Sequence, residues 1–213
     1  GDGYYMHRIN TMPYTISTAT TGGAFFAELS ALSSTAAAAA EFAGIARAAT
    51  GWLLRNVEPN GTIPYFINPP TNVEHTYQCT SYSTEAIVDV DLRGIGGALS
   101  KAEISAAGRM VEYLLSQQQP NGELIGKNAS FGEQQRSPRA MSLLQWWHDR
   151  TGDPRAASAV AKYIGFLNKE LAKGGKSTYG LNSYALVTGF VGLAAADLIQ
   201  PWCTFSSGMT SPL

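Results

Sequence analysis

The chain has 213 residues, a formal net charge of −1 and a charged fraction of 15%, well below the roughly 25% of an average soluble domain. Its 15 basic residues are scattered, which argues against a surface for nucleic acid or an anionic membrane, and no apolar run approaches the ~20 residues that span a bilayer. We predict a soluble chain whose surface is either rich in neutral polar residues or partly covered by another protein.

In chain order, residues 1–21 lack a helical period and are predicted to form an extended N-terminal arm. Residues 22–200 are predicted to form one helical domain and residues 201–213 an irregular tail. Apolar periodicity and capping signals predict helices at 24–32, 35–56, 83–93, 101–119, 138–150, 155–171 and 181–200. No strand-like alternation of useful length separates them, so the predicted fold class is all-α.

Two of the predicted helices close in the same way. Residues 52–61 and 113–122 both place an aromatic residue and two leucines before a Pro-Asn-Gly turn. This turn stops a helix because proline lacks an N–H donor and Asn-Gly readily adopts left-handed geometry. After each long loop, the matching segments 83–86 and 137–140 begin a further helix. The sequence therefore predicts tandem helical hairpins.

Helix pairs joined alternately by a short turn and by a long loop after a Gln-x-Pro-Asn-Gly stop resemble the (α/α) toroids. Residues 146–155, with their Thr-Gly-Asp-Pro turn, are similar to the hairpin connection of six-hairpin glycosidase-like proteins. Residues 115–122 resemble the QW-type repeats of terpene cyclases and prenyltransferases. The resemblance implies an inner and an outer ring of helices. The predicted helices are too few to close such a ring, so we expect a partial toroid or open arc that is either a fragment or covered at its ends by partners.

In a toroid the long loops gather at one end of the inner helices, so the resemblance implies a site near 62–85, 123–139 and 176–184. Two carboxylates near a histidine provide acid and base for glycoside cleavage or sugar epimerisation. An arginine binds a sugar carboxylate through two hydrogen bonds, and aromatic rings stack on a sugar or terpene face. The predicted catalytic residues are Glu74, His75, Glu85 and Glu133, with Asp89 one turn after Glu85, and the predicted substrate-binding residues are Tyr65, Tyr77, Arg136 and Tyr179.

Each candidate also has a structural interpretation. Glu85 in the first turn of a helix complements the helix dipole, Glu133 and Arg136 pair with each other on a surface, and the aromatic residues pin the long loops to the core. No cofactor is predicted. No metal site is predicted either, because the three histidines and two cysteines are widely separated in the sequence. Cys79 and Cys203 are expected to be free buried thiols rather than a disulfide.

Two functions compete on this sequence. The first is a carbohydrate-active domain, of glycoside hydrolase, polysaccharide lyase or sugar epimerase type, that acts on or binds a glycan. The second is a non-catalytic helical-repeat subunit of a larger assembly, with other protein chains on the open ends of the arc. Asn60-Gly61-Thr62 and Asn128-Ala129-Ser130 match the N-glycosylation acceptor pattern, which points to a secreted chain or one in an organelle lumen. No nucleic-acid partner and no membrane span are expected.

Overall fold

The structure, a computed structural model, describes residues 3, 15–67, 70–71, 76–126 and 139–172. Three contiguous pieces form one N-terminal helix: α1 (Thr15–Ser17), a π-helical segment (Thr18–Phe25) and α2 (Phe26–Leu32). The other helices are α3 (Ala36–Arg55), α4 (Thr76–Leu92), α5 (Lys101–Gln117), α6 (Ala140–Thr151) and α7 (Pro154–Ala172). The two-residue strands β1 (Phe66–Ile67) and β2 (Pro70–Thr71) pair antiparallel within one loop. The predicted all-α class is confirmed, whereas the predicted helix 181–200 and the tail lie outside the described residues.

The N-terminal helix begins earlier than the sequence suggested. Residues 15–21 are helical rather than part of an extended arm, and Gly22 and Gly23 lie inside the π-helical segment instead of preceding a helix. A Cβ on Gly23 would lie 2.2 Å from the Cβ of Ala86, so the absence of a side chain lets this helix approach α4 closely. The glycine pair is therefore a packing surface. The division into arm, domain and tail otherwise stays a prediction.

Helix α4 also starts before its predicted position, at Thr76 rather than near residue 83. Its first half is rich in Thr, Ser and Gln, which is typical of a loop, yet most of these side chains are buried. Several of their hydroxyls donate to carbonyl oxygens one turn back in the helix, as between Thr80 and Thr76 at 2.8 Å and between Ser83 and Cys79 at 2.8 Å. These local bonds satisfy those hydroxyls and help a polar helix to be buried.

The helices form two layers. The N-terminal helix, α4 and α6 are neighbours in an inner layer, while α3, α5 and α7 are neighbours in an outer layer. Each inner helix also packs against the outer helix that follows it in the chain. A hydrophobic core runs between the layers, with Leu53, Met110 and Trp146 among its largest members. This arrangement confirms the tandem helical hairpins that the repeat predicted.

The long connections lie at one end of the layers, which we call the rim end. The segment before β1 reaches the start of the N-terminal helix, where the Thr15 amide donates to the Tyr65 carbonyl at 3.2 Å and the Thr15 hydroxyl donates to the Pro64 carbonyl at 2.5 Å. The same segment reaches α4, because the Ile63 amide donates to the Thr80 hydroxyl at 3.2 Å. The rim end therefore brings together loop residues and the N-termini of inner helices.

The repeated Asn-Gly turns at the rim end have the same structure. Gly61 and Gly122 adopt φ angles of 84° and 96°, which favour glycine. Gly3, with φ 82°, packs in the same way and is a third instance that the sequence repeat did not reveal. A Cβ on each glycine would come 2.0 to 2.4 Å from a backbone oxygen of an outer helix, in the pairs Gly3 with Ala48, Gly61 with Arg109 and Gly122 with Lys162.

The opposite end, the far end, carries the short connections 33–35, 93–100 and 152–153. A capping box of Ser100 and Glu103 lies there and begins α5. Glu103 also makes a two-bond ion pair with Arg47 at 2.7 and 2.8 Å, which links α5 to α3. At Gly152 the chain reverses with φ 74°, and a Cβ added to this glycine would meet open space, with no packed neighbour within 4 Å.

Two further features bear on the sequence predictions. Cys79 is free and buried, and burial raises the pKa of its thiol, so it stays protonated. Cys203 lies outside the described residues. In the ranges that the structure describes, no helix is both long and apolar enough to traverse a bilayer.

Candidate functional site

Helix α4 carries a polar face at the rim end. Gln78, Tyr82, Glu85 and Asp89 follow the 3.6-residue period and so lie on one side of the helix. Most other positions of α4 are fully buried, whereas Tyr82, Glu85 and Asp89 are half-buried. The other sides of α4 are buried, but two carboxylates and a phenol remain partly open to solvent. Such a face is suited to contact a ligand.

Arg139 meets this face from the neighbouring inner helix. It directly precedes α6, and its carbonyl oxygen accepts a 2.8 Å hydrogen bond from the Thr84 hydroxyl, which fixes the backbone there. Its guanidinium lies over the Tyr82 ring, 4.6 Å from the ring centre, and forms an ion pair with Glu85. We call Tyr82, Glu85 and Arg139 the rim cluster.

The rim cluster is only partly open to water. The side chain of Glu85 is 24% exposed and that of Arg139 is 11% exposed. Burial raises the pKa of the Tyr82 phenol, although the charge of Arg139 and a hydrogen bond with Gln78 act in the opposite direction. The phenol is therefore protonated at neutral pH and can donate a hydrogen bond. The cluster offers a carboxylate, a phenol, an aromatic ring and a cation within one small area.

The structure places three of the predicted site residues. Glu85 belongs to the rim cluster, but it lies in the interior of α4 rather than in its first turn, so the helix-dipole interpretation is wrong. Tyr65 is half-buried in the loop and packs edge-to-face on Phe66 with 4.7 Å between ring centres. Tyr77 is 1% exposed and belongs to the hydrophobic core, the environment of a packing residue, whereas sugar stacking needs an open ring face.

The remaining predicted site residues lie outside the described part of the chain. They are Glu74, His75, Glu133, Arg136 and Tyr179. Their roles stay predictions, as does the proposed surface pair of Glu133 and Arg136.

Sequence reasoning missed Arg139 and Tyr82. The repeat itself contained the signal for Arg139, because aligning residues 83–86 with 137–140 sets Glu85 opposite Arg139. Residues at equal positions of neighbouring inner helices can face each other, and a glutamate opposite an arginine suggests a pair. Tyr82 precedes the helix predicted at 83–93, and only the earlier start of α4 places it one turn before Glu85 on the same helical face.

A second charged cluster joins the same two helices at the far end. Asp91 accepts hydrogen bonds from the Trp146 indole at 2.9 Å and from Arg150 at 2.8 Å, and Arg150 lies 5.5 Å from the Trp146 ring centre. We call Asp91, Trp146 and Arg150 the far cluster. The contacts of Asp91 link α4 to α6, a role that its position in the sequence did not indicate.

Metal binding was not predicted, and within the described ranges no three His, Cys, Asp or Glu side chains are placed to hold a metal ion together. The rim cluster is also a poor metal site by composition, because its carboxylate is already paired with the Arg139 cation. Its chemistry is that of proton transfer, hydrogen bonding and stacking.

The sequence matches no family model, and no curated protein matches it. Among solved structures, the chain is similar to one described as "the crystal structure of a possible member of GH105 family" from Salmonella enterica subsp. enterica serovar Paratyphi A str. ATCC 9150. The sequence identity is 14% and the TM-score is 0.47, over 76% of this chain and 42% of that chain. The present chain thus spans less than half of that protein. A likeness of this degree says nothing about activity.

Proposed function

We propose that the chain is a carbohydrate-active domain that binds a glycan at the rim cluster. The observation that carries the proposal is the contact of one arginine with both an aromatic ring and a partly exposed carboxylate, at the rim end of two inner helices. Sugars present hydroxyl groups around an apolar C–H face, so a binding site needs hydrogen-bonding groups beside an aromatic surface. Tyr82, Glu85 and Arg139 provide this combination.

The proposed chemistry is acid–base catalysis with Glu85 as one of two carboxylates. Glycoside cleavage uses a second carboxylate at about 5 to 10 Å. Asp89 is suitably placed, because residues four apart on a helix have their Cβ atoms about 6 Å apart and Asp89 is half-buried on the same face. Glu74 and Glu133 are the other predicted carboxylates. Arg139 would bind an acidic group of the substrate.

The first experiment measures binding of a panel of neutral and uronic-acid oligosaccharides by calorimetry. The proposal expects the parent chain to bind at least one member and Glu85→Gln to bind it at least about tenfold more weakly, or about 1.4 kcal/mol. Asp149→Asn is the matched control, because Asp149 is an exposed carboxylate on α6 outside the rim cluster. A parent chain that binds none of the panel would contradict the proposal.

The second experiment asks whether binding leads to reaction, and of which type. Hydrolysis adds water to the products, a lyase leaves an unsaturated sugar, and an epimerase leaves the mass unchanged, so mass spectrometry and sugar analysis of the products separate the three. Unchanged turnover of Glu85→Gln on every glycan that the parent converts would remove the catalytic role of Glu85. Binding without turnover would reduce the proposal to a glycan-binding domain.

One observation favours the alternative, a non-catalytic subunit of a larger assembly. Three large apolar side chains are exposed in the C-terminal halves of the first two inner helices: Phe25 at 52%, Leu32 at 50% and Leu92 at 40%. Exposed apolar side chains on neighbouring helices favour a contact surface for another protein. The native mass of the protein in its source tests this alternative. A mass above 22.7 kDa that decreases in the double variant Phe25→Ser, Leu32→Ser supports the subunit. A native monomer contradicts it.

A further inference from the structure

The two Asn-Gly turns of the repeat share a hydrogen bond but differ in one side chain. The Asn60 side-chain oxygen accepts from the Thr62 amide at 3.1 Å, and the Asn121 oxygen accepts from the Glu123 amide at 3.0 Å. Both asparagines are exposed on their turns. The turns therefore present an asparagine amide to solvent in the same local geometry.

The difference is the residue two positions after the asparagine. Thr62 provides a hydroxyl, which donates to the Asn60 side-chain oxygen at 2.7 Å, whereas Glu123 has no hydroxyl. The Asn-x-Ser/Thr pattern that an oligosaccharyltransferase recognises requires this hydroxyl and excludes proline in the middle position. Of these two turns, the first alone meets the requirement, with Gly61 between the two residues.

The structure separates the atom that holds the turn from the atom that a glycan would modify. Both hydrogen bonds of the Asn60 side chain use its oxygen, and among the contacts of the described residues its Nδ2 has no partner. A sugar on Nδ2 would leave both of these bonds in place. The buried parts of the turn are its neighbours, because Gly61 packs on the Arg109 carbonyl and Thr62 is 7% exposed.

We propose that Asn60 is an N-glycosylation site whose glycan projects into solvent from the first rim turn. In the reaction, the Asn60 Nδ2 attacks C1 of the first sugar of a lipid-diphosphate-linked oligosaccharide. The C1–N bond forms, the C1–O bond to the lipid diphosphate breaks, the amide nitrogen loses one proton and the lipid diphosphate leaves. A chain modified in this way passes through a compartment that contains the transferase and this donor.

The experiment follows the chain through the secretory pathway of a eukaryotic cell, behind a cleavable signal peptide. The full chain is produced in an Asn128→Gln background, so that the other acceptor pattern is absent, and recovered from the medium and the secretory compartments. Treatment with a peptide N-glycanase converts a glycosylated asparagine to aspartate, which marks the site in a peptide mass spectrum. We expect this mark at residue 60 and a loss of glycan mass from the intact chain.

Further variants make the test specific. Asn60→Gln and Thr62→Val should lose the glycan, and Thr62→Ser should keep it because the hydroxyl remains. Glu123→Thr creates the acceptor pattern in the second turn and should add a glycan at Asn121. An unmodified peptide at residue 60 in material from the secretory compartments would overturn the proposal. A glycan at Asn121 in the Glu123→Thr variant would show that the same cells can modify the equivalent turn.

Discussion

Two ion pairs link α4 to α6, one at the rim end and one at the far end. In each, a carboxylate of α4 meets an arginine that lies beside an aromatic ring. The two pairs differ in which partner is exposed to solvent. At the rim, the side chain of Glu85 is 24% exposed and that of Arg139 only 11%. At the far end, Asp91 is 9% exposed and Arg150 is 37% exposed. The carboxylate is thus the accessible partner at the rim and the covered partner at the far end.

This difference supports the proposed site at the rim and a structural role for the far cluster. Asp91 has its carboxylate covered and bonded by both an indole N–H and a guanidinium, so little of it remains for a ligand. Loss of Asp91 is costly, because it leaves the buried Trp146 N–H without this acceptor. Glu85 keeps part of its carboxylate open, and its arginine is held over a tyrosine ring. We therefore assign chemistry to the rim cluster and helix packing to the far cluster.

The largest loss of stability is expected from a substitution in the Asn-Gly turns of the rim end. Gly61→Ala places a Cβ 2.0 Å from the Arg109 carbonyl oxygen at a φ of 84°, so both steric overlap and left-handed strain oppose folding. We expect a loss of at least about 3 kcal/mol in unfolding free energy, or no soluble chain. Urea denaturation measures it.

The far-end control for that substitution is Gly152→Ala. Gly152 has a φ of 74°, but the new methyl group would meet no packed neighbour within 4 Å, so only the backbone strain remains, about 1 kcal/mol. Equal losses for the two alanine variants would show that the rim turn is not packed as described.

The next effect tests the far cluster. Asp91→Ala removes the acceptor of both Trp146 and Arg150, and we expect it to lower the unfolding free energy by about 2 kcal/mol, the cost of leaving a buried indole N–H unpaired. Asp149→Ala is the control, because Asp149 is exposed and accepts a hydrogen bond from Gln145 of its own helix; its cost should stay below about 0.5 kcal/mol. A small effect of Asp91→Ala on stability would remove the structural assignment.

A substitution in the rim cluster should cost little stability but clearly weaken glycan binding. Glu85→Gln keeps the shape of the side chain and an oxygen for Arg139, so we expect about 1 kcal/mol of lost stability. Glycan affinity should fall at least about tenfold. Denaturation and calorimetry on both variants compare the loss of stability with the loss of glycan affinity. We expect Glu85→Gln to lose mainly affinity and Asp91→Asn to lose mainly stability. Equal ratios of the two losses in both variants would contradict the different roles of the two clusters.

The smallest effect is a pH dependence at the far end. Burial opposes ionisation of Glu103, but hydrogen bonds from Arg47 and Ser100 outweigh it and lower its pKa from 4.5 to about 2. A carboxylate whose pKa is lower in the folded chain stabilises it above the unfolded value, and that stability is lost as pH falls through the folded value.

We therefore expect the parent chain to lose about 1 kcal/mol more than Glu103→Gln as the pH falls from about 5 to about 2, the modest size reflecting solvent screening of this partly open pair. Thermal unfolding across that range measures the difference. The same pH slope in both chains would show that the Arg47–Glu103 pair does not stabilise the fold.

The sequence predicted the outer helices well because their signals are local. The capping box at Ser100, the Pro-Asn-Gly stops and the apolar period of α7 depend on neighbouring residues only. It failed at the starts of the first two inner helices, where tertiary packing overrides composition. Gly22 and Gly23 and the Thr- and Ser-rich start of α4 have loop-like composition, and they are helical because neighbouring helices bury them.

The site was predictable only in part for a related reason. The sequence pointed to Glu85 and to one end of the hairpins, since long loops between outer and inner helices must lie at that end. The repeat aligns Glu85 with Arg139, but the two residues are 54 apart in the chain and only helix packing shows that they touch. Nor could the sequence assign Asp91 to packing, which depends on Trp146 and Arg150 of the neighbouring helix.

The most direct test compares the two ends of the same helices while a ligand is bound. Amide hydrogen–deuterium exchange is measured with and without a saturating oligosaccharide from the binding panel. The proposed function predicts slower exchange around residues 78–89 and 139–144, with unchanged exchange around 91–92 and 146–151. Protection confined to the far end, or spread equally over both ends, would contradict a glycan site at Tyr82, Glu85 and Arg139.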